Sequence, residues 1–299
     1  MGLKSIPIAS IGIGPGSQPL EEDGARLEYI DLPEDMRVYQ KPLLPEPEEV
    51  RHLADTMEVM EWVQQALQRY RPGEDPLLVD ISTLDAQNRE LVNQILGEGE
   101  VAIRYAGAFQ AKMQESVLAG VWRTFYVNEQ GAPIRDLLEV GDVPVLARLL
   151  AKSASPAVQN LSNAQPRSEV MNAMPILTEI EDRISNLLPG AQAHVINLTL
   201  LPLSKEDVSF LDRTLGLGPV SILSRGYGDC RITSTAVPNV WWVRYYNSTG
   251  TLILNTLEIV DIPVAACAAE EDLQDSALRL KEMLEPYQDV LYPWTNPKS

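Results

Sequence analysis

Seven consecutive residues form the densest cluster of chemically distinctive side chains in this chain. They are Arg225, Gly226, Tyr227, Gly228, Asp229, Cys230 and Arg231. Two glycines around a tyrosine permit a tight backbone turn that exposes the ring. Arginines that flank a cysteine can lower the pKa of its thiol. The sequence leaves two interpretations open, a recognition loop or a β-turn with a half-buried tyrosine and an inert thiol.

The sequence has no other recognisable motif for metal binding or catalysis. The two histidines and two cysteines, His52, His194, Cys230 and Cys267, are scattered without metal-ligand spacing. The sequence contains no Walker loop, no Gly-x-Ser-x-Gly elbow and no His-Glu-x-x-His helix. We therefore predict no catalytic residues, no cofactor and no metal. A thiol-dependent enzyme or an iron–sulfur carrier using Cys230 is the alternative function, although a cluster carrier needs several converging ligands.

The cluster at 225–231 lies inside a duplicated chain. Residues 84–147 match residues 203–266 without a gap at an offset of 119, and 19 of 64 positions are identical. Unrelated sequence would give roughly four identities, so the fixed offset indicates duplicated structural units. Gly226 has a counterpart in Gly107, but the rest of the cluster is not shared. Specific function is expected where the copies differ.

The aromatic run at 240–246 also differs between the copies. On a strand, Trp241 and Trp242 face opposite sides of the sheet. Trp241 matches Trp122 in the first copy and is predicted to lie in the core of both units. Trp242 matches Arg123, so it is the candidate for an exposed contact with a partner, because aromatic side chains dominate protein interfaces. Packing in the core is the alternative for Trp242.

The predicted fold class is α+β, with two tandem duplicated units that each pack helices on an antiparallel β-meander of three or four strands. The predicted organisation is an irregular N-terminal arm at 1–47, a first repeat at 48–151, a linker at 152–167 and a second repeat at 168–299 that includes a C-terminal helix. That helix, at 273–284, is expected to pack on the second unit. In each unit a Ser-x-x-Asp sequence, Ser82 to Asp85 and Ser204 to Asp207, is predicted to cap the second helix.

Composition and charge bound the class of protein. The chain has 299 residues, 45% of them hydrophobic and 22% charged, which is typical of a folded two-domain protein. Its net charge of −18 argues against nucleic-acid binding and against docking on anionic lipid. We find no convincing signal peptide and no apolar run long enough to insert in a membrane. Two cysteines are too few for a disulfide framework, so we expect reduced thiols and a cytoplasmic location.

These residues resemble a known family. The run from Ser224 through Arg231, followed by residues 239–247, is similar to the C-terminal domain of the HupH/HyaF hydrogenase expression proteins. Residues 96–101, 14–19 and 196–199 resemble the same family. The combination of the Gly-Tyr-Gly loop with the tryptophan strand carries most of the resemblance.

The resemblance implies a non-catalytic accessory protein, a chaperone for the maturation of membrane-bound uptake [NiFe] hydrogenases. The implied client is the precursor of the iron–sulfur small subunit before its export, and the twin-arginine leader of that precursor is a candidate contact for the acidic surface. A thioredoxin-like accessory protein is a further implied partner. The family supplies no catalytic residues to carry over.

Overall fold

The computed structural model describes residues 45–48, 50, 52–151, 161–166, 168–225 and 228–291. Within them the helices are α1 (Ala54–Arg69), α2 (Ala86–Leu96), α3 (Val145–Ala151), α4 (Ala173–Ser185), α5 (Lys205–Leu215) and α6 (Glu270–Leu291). The strands are β1 (Leu77–Asp80), β2 (Val101–Ala106), β3 (Gln110–Glu115), β4 (Val121–Val127), β5 (Pro133–Val140), β6 (His194–Asn197), β7 (Leu217–Arg225), β8 (Asp229–Thr235), β9 (Val240–Tyr246) and β10 (Leu252–Ile259). Three 3-10 turns lie at Leu161–Asn163, Leu198–Leu200 and Val264–Ala266.

The strands form a single antiparallel sheet in the order β1-β5-β4-β3-β2-β7-β8-β9-β10-β6. Each copy contributes a meander of four strands and one short strand, β1 or β6, that pairs with the last strand of the meander. This arrangement confirms the α+β architecture with two duplicated units. The repeat did not predict that the two meanders join edge to edge.

The join between the copies is two-fold symmetric. In the pairing of β2 with β7, Ile103 lies opposite Ile222, its own counterpart at the offset of 119. Such an isologous contact is typical of a two-fold dimer, and here it pairs two strand edges that would otherwise be open. Arg148 strengthens the join, because its guanidinium contacts the two equivalent carboxylates of Asp142, at 3.0 Å, and Asp261, at 3.4 Å.

The core on the α3 face of the sheet contains the two equivalent tryptophans. Trp122 and Trp241 are both 0% exposed. The indole Nε1 of Trp122 donates to the carbonyl of Gly141 at 3.0 Å, and that of Trp241 donates to the carbonyl of Val260 at 3.2 Å. The two rings therefore lie in matching environments, which confirms the prediction that both belong to the core.

Helices cover the two ends of the opposite sheet face. Helices α1, α2 and α6 pack on β4 and β5, and helices α4 and α5 pack on β6, β9 and β10. Among the described residues, neither of these hydrophobic cores includes a side chain from β2, β3, β7 or β8. The centre of this face therefore lies between two helical layers.

The expected packing of the C-terminal helix on the second unit is wrong. Helix α6 lies against α1, and its Leu273, Leu280 and Leu284 belong to the core of the first unit. The Tyr287 hydroxyl adds a hydrogen bond to the carbonyl of Pro45 at 2.7 Å. Amphipathic spacing shows that a helix has one face to bury, but it does not identify the surface that covers that face.

The predicted caps of the second helices are half correct. Ser204 and Asp207 form a reciprocal capping box at the start of α5, as predicted. Ser82 does not cap α2, because Asp85 caps it by accepting from two backbone N–H groups. Ser82 instead accepts a hydrogen bond from the backbone N–H of Asp136 at 2.9 Å. The residue equivalent to Ser204 at the offset of 119 is Asp85, so the repeat register identifies the correct cap.

Two further expectations depend on parts of the chain that are largely not described. The predicted arm at 1–47 and the predicted linker at 152–167 lie mostly outside the described residues, so the domain boundaries stay predictions. Within the described residues, no helix combines the length and apolar character that a membrane span requires.

Candidate partner-binding surface

The predicted recognition loop is the hairpin between β7 and β8. Gly226 and Tyr227, which follow β7 in the sequence, lie outside the described residues. A Cβ atom at Gly228 would lie 2.4 Å from the carbonyl oxygen of Tyr246 on β9. Because glycine alone permits this close approach, Gly228 determines how the hairpin sits against the neighbouring strand.

Strand alternation separates the charged residues of the cluster from its thiol. Arg225, Asp229 and Arg231 lie on the sheet face between the helical layers, whereas Cys230 lies in the core on the opposite face. The guanidinium of Arg231 stacks 4.8 Å from the ring centroid of Tyr246 and lies 3.8 Å from the carboxylate of Asp229. The side chains of Arg231 and Asp229 are 42% and 45% exposed. Of the described cluster, the charged part is thus the part that a partner can reach.

The structure favours an inert thiol at Cys230 over a thiol whose pKa the flanking arginines lower, the two interpretations that the sequence left open. Burial raises the pKa of the Cys230 thiol to about 11, although a hydrogen bond with Tyr245 acts in the opposite direction. The flanking arginines have no such effect because they lie on the other face of the sheet. In the described part of the chain, no group of three or more His, Cys, Asp or Glu side chains is placed to hold a metal ion.

The raised pKa predicts that Cys230 is unreactive in the folded protein. At pH 8 a thiol with a pKa near 11 has about 100-fold less thiolate than one with the usual value near 9, and the thiolate is the nucleophile. In a Cys267→Ala variant, we expect Cys230 to react with a disulfide reagent at least about 100-fold more slowly in the native state than in urea. Rapid native labelling would contradict the burial of the thiol and restore the thiol-dependent alternative.

Trp242 is buried, which confirms core packing and contradicts an exposed contact, the two interpretations that the sequence left open for this position. Its side chain is 4% exposed and packs in the core beneath α4 and α5. The indole Nε1 donates to the side chain of Asn255, and the guanidinium of Arg244 lies 4.5 Å from the ring centroid. Helices α4 and α5, rather than a partner protein, cover this aromatic side chain. Substitution of Trp242 would destabilise the fold and is not a clean test of binding.

The structure brings together basic residues that the sequence analysis missed. The face of β2, β3, β7 and β8 between the helical layers, with the adjoining part of β9, forms a surface that we call the central trough. Its chemically distinctive residues are Arg104, Lys112, Ser221, Asp229, Arg231 and Arg244. Lys112 is exposed, and the others are partly exposed. Period-2 alternation indicates which face of a strand a residue occupies, but only the strand register shows that Arg104 lies opposite Lys112.

The two copies of the duplication both match one family. The model of the HupH hydrogenase expression protein C-terminal conserved region matches residues 53–165 and again residues 170–287. The chain is 46% identical over 283 residues to hydrogenase expression/formation protein HoxQ of Cupriavidus necator, covering 95% of this chain and 98% of that protein. It is 43% identical over 284 residues to hydrogenase expression/formation protein HupH of Rhodobacter capsulatus, covering 95% and 98%. It is 33% identical over 277 residues to hydrogenase-1 operon protein HyaF of Escherichia coli, covering 91% and 94%. The chain belongs to the HupH family of hydrogenase expression/formation proteins.

Proposed function

We propose that this protein is a non-catalytic chaperone for a membrane-bound uptake [NiFe] hydrogenase and acts in the cytoplasm. Its client is the precursor of the iron–sulfur small subunit before export. The similarity to hydrogenase expression/formation proteins over nearly the whole chain carries the hydrogenase assignment. The sheet face between two helical layers supports a binding role, because it carries an arginine stacked on a tyrosine and partly exposed charged side chains, which are common at protein interfaces.

The alternative, an enzyme or iron–sulfur carrier that depends on Cys230, is less well supported. Cys230 is buried and Cys267 is partly buried, and burial raises the pKa of Cys230 to about 11 and that of Cys267 to about 12. Their thiols are thus protonated at neutral pH, whereas a nucleophile or cluster ligand must be a thiolate.

The twin-arginine leader of the precursor is the proposed contact for the acidic outer helices. Helix α6 begins with Glu270, Glu271 and Asp272, so its first turn presents three carboxylates. Arginine binds carboxylates through charge-assisted, bidentate hydrogen bonds. The basic central trough, by contrast, would repel the leader. A thioredoxin-like accessory protein is a further proposed partner.

Binding to the purified small-subunit precursor tests the function. We expect the wild-type chain to bind the precursor and a Tyr227→Ala variant to bind about tenfold more weakly, because a central aromatic contact contributes strongly to interfaces. Biolayer interferometry measures both affinities. Phe109→Ala, in the equivalent hairpin of the first copy, is the matched control and should leave the affinity unchanged.

Two outcomes have different meanings. Failure of the wild-type chain to bind the precursor would refute the proposed client. Normal binding by Tyr227→Ala would remove the β7–β8 hairpin from the interface and leave the client assignment intact. A precursor that lacks its leader shows how much the leader contributes to the binding affinity. This contribution should fall as salt is added, because exposed charges are screened beyond about 8 Å at physiological ionic strength.

A further inference from the structure

Each unit is completed by a chain segment that follows the other unit. The turn at Leu161–Asn163 follows the first unit, yet it contacts α4, and its Leu161 lies in the core of the second unit. Helix α6 follows the second unit, yet it contacts α1, and its Leu280 lies in the core of the first unit. Leu161 and Leu280 are counterparts at the offset of 119. The two units thus exchange equivalent segments, as the two chains of a domain-swapped dimer do.

The exchange makes α6 a strap across the first unit, and we use that name for it below. The helix has 22 residues, and its Leu273, Leu280, Leu284 and Tyr287 are each 3% exposed or less. It contributes no strand to the sheet. The first unit therefore obtains part of its core from a helix that can move away without breaking any strand pairing.

A buried carboxyl lies beneath the start of the strap. Glu115, at the end of β3, is 7% exposed, and its carboxylate accepts the backbone N–H of Gly120 at 3.1 Å. A Cβ atom at Gly120 would lie 2.0 Å from Cδ2 of Leu273, so the first turn of the strap packs directly on the turn that Glu115 holds. The counterpart of Glu115 in the second copy is Ser234, which does not ionise at neutral pH. At this pair of positions, the ionisable group belongs to the unit that the strap covers.

The nearby charges oppose ionisation of Glu115. Burial first, and then the carboxylates of Glu100 before β2 and Asp272 on the strap, raise the pKa of Glu115 from 4.5 to about 7, although two backbone hydrogen bonds act in the opposite direction. Arg279 of the strap donates to the carbonyl of Val117, and Glu115 forms no ion pair with another described residue. An ionised Glu115 is therefore a buried charge that contact with water would stabilise.

We propose that the strap is a pH-sensitive conformational device, in which protonated Glu115 keeps the start of α6 docked on the first unit and ionised Glu115 releases it. Release would admit water to the carboxylate and separate it from Asp272. It would also uncover part of the apolar core that the strap shares with α1. The inference concerns this chain alone and is independent of the proposed client.

The raised pKa sets the direction of the pH effect. Glu115 binds its proton more tightly in the docked state than in the released state, where its ordinary pKa of 4.5 applies. Docking is therefore strongest below pH 4.5, weakens as the pH rises from 4.5 to about 7, and changes little above that. The two pKa values limit the total change in the opening equilibrium to about 300-fold.

Native-state hydrogen exchange of the full-length chain tests the strap. In the wild type, the protection factors of amides in residues 270–277 should fall by more than about tenfold between pH 5 and pH 7, because opening releases the proton of Glu115. In a Glu115→Gln variant they should stay nearly constant, since glutamine can accept the N–H of Gly120 but does not titrate. Amides of α4, the equivalent helix of the second unit, are the internal reference and should not differ between the two proteins.

Two variants of the strap itself identify the charges involved. Asp272→Asn removes a carboxylate that opposes ionisation of Glu115 and should reduce the pH dependence. Glu282→Gln changes the net charge equally at an exposed position further along the strap and should leave the pH dependence as in the wild type. Equal effects of the two variants would contradict the role of Asp272 and count against the proposal.

Two results would overturn the proposal directly. One is the same pH dependence in the wild type and in Glu115→Gln, and the other is a loss of protection that extends equally to α4. Carbon-13 NMR of the Glu115 carboxyl in the wild type keeps the test decisive if Glu115→Gln folds poorly. A titration midpoint near 4.5 instead of near 7 would also overturn the proposal.

Discussion

Replacing Trp241 with alanine should lower the free energy of unfolding by about 3–5 kcal/mol, the usual range for a large buried aromatic side chain. The ring is 0% exposed, and its Nε1 donates to the carbonyl of Val260. The substitution opens a cavity and removes the donor from that carbonyl. Urea unfolding followed by circular dichroism measures the loss.

The duplication makes the tryptophan prediction more specific. Trp122→Ala should cost nearly the same as Trp241→Ala, because both rings are fully buried and both donate to equivalent carbonyls. Ile134→Ala, at a side chain that is 68% exposed, serves as the control and should change stability by less than about 0.5 kcal/mol. A small loss at one tryptophan and a large loss at the other would show that the two sites are not energetically equivalent.

Replacing Asp207 with alanine should lower the free energy of unfolding by about 3 kcal/mol, because its fully buried carboxylate is the acceptor for four backbone N–H groups, that of the buried Ala173 among them. Its carboxylate accepts the backbone N–H groups of Met171, Asn172 and Ala173 at the start of α4, in addition to that of Ser204. One side chain thus caps α5 and ties α4 to it. Asp85→Ala is the matched control, since Asp85 caps α2 from an exposed position, and it should cost about 1 kcal/mol. Equal losses at the two positions would contradict the role of Asp207 in joining the helices.

The same carboxylate predicts a pH dependence. Burial acts to raise the pKa of Asp207, but hydrogen bonds from Ser204, Asn172 and Met171 outweigh it and lower the pKa below its usual value of 3.8. A lowered pKa in the folded state adds stability above the unfolded value, and this contribution is lost as the pH falls through the folded pKa. The stability difference between wild type and Asp207→Asn should therefore be largest near neutral pH and shrink below pH 3.8. A constant difference down to strong acid would contradict the lowered pKa.

The residue equivalent to Asp207 in the first copy has a neutral side chain. Asn88 stands at the equivalent position, where its Oδ1 accepts the backbone N–H of Thr56 near the start of α1 at 3.0 Å. The two copies thus tie their first and second helices together with related side chains, one charged and one neutral. At this pair of equivalent positions, only Asp207 in the second copy should contribute a pH effect, because the side chain of Asn88 does not titrate.

Local patterns in the sequence determined much of the fold. The gapless offset of 119, the periodicity of the strands around Trp122 and Trp241, and the Ser204–Asp207 box identified two α+β units. The periodicity and the capping box depend on neighbours in the chain, so their physical cause is visible in a short window, and the offset is found by comparing two such windows. The family followed from the same residues, because the hairpin at 225–231 and the tryptophan strand are contiguous segments.

Tertiary structure alone decided where those elements meet. The pairing of Ile103 with Ile222 joins the copies into one sheet, and α6 packs on the first unit rather than the second. Both depend on contacts between residues more than 100 positions apart, and local periodicity carries no information about such contacts. The candidate site depends on such contacts as well. Alternation on β8 puts Cys230 and Arg231 on opposite faces, but only the packing of distant elements makes the face of Cys230 the core and covers Trp242 with helices α4 and α5. A sequence supplies the side chains of a surface, but register and the packing of distant helices decide which of them remain exposed.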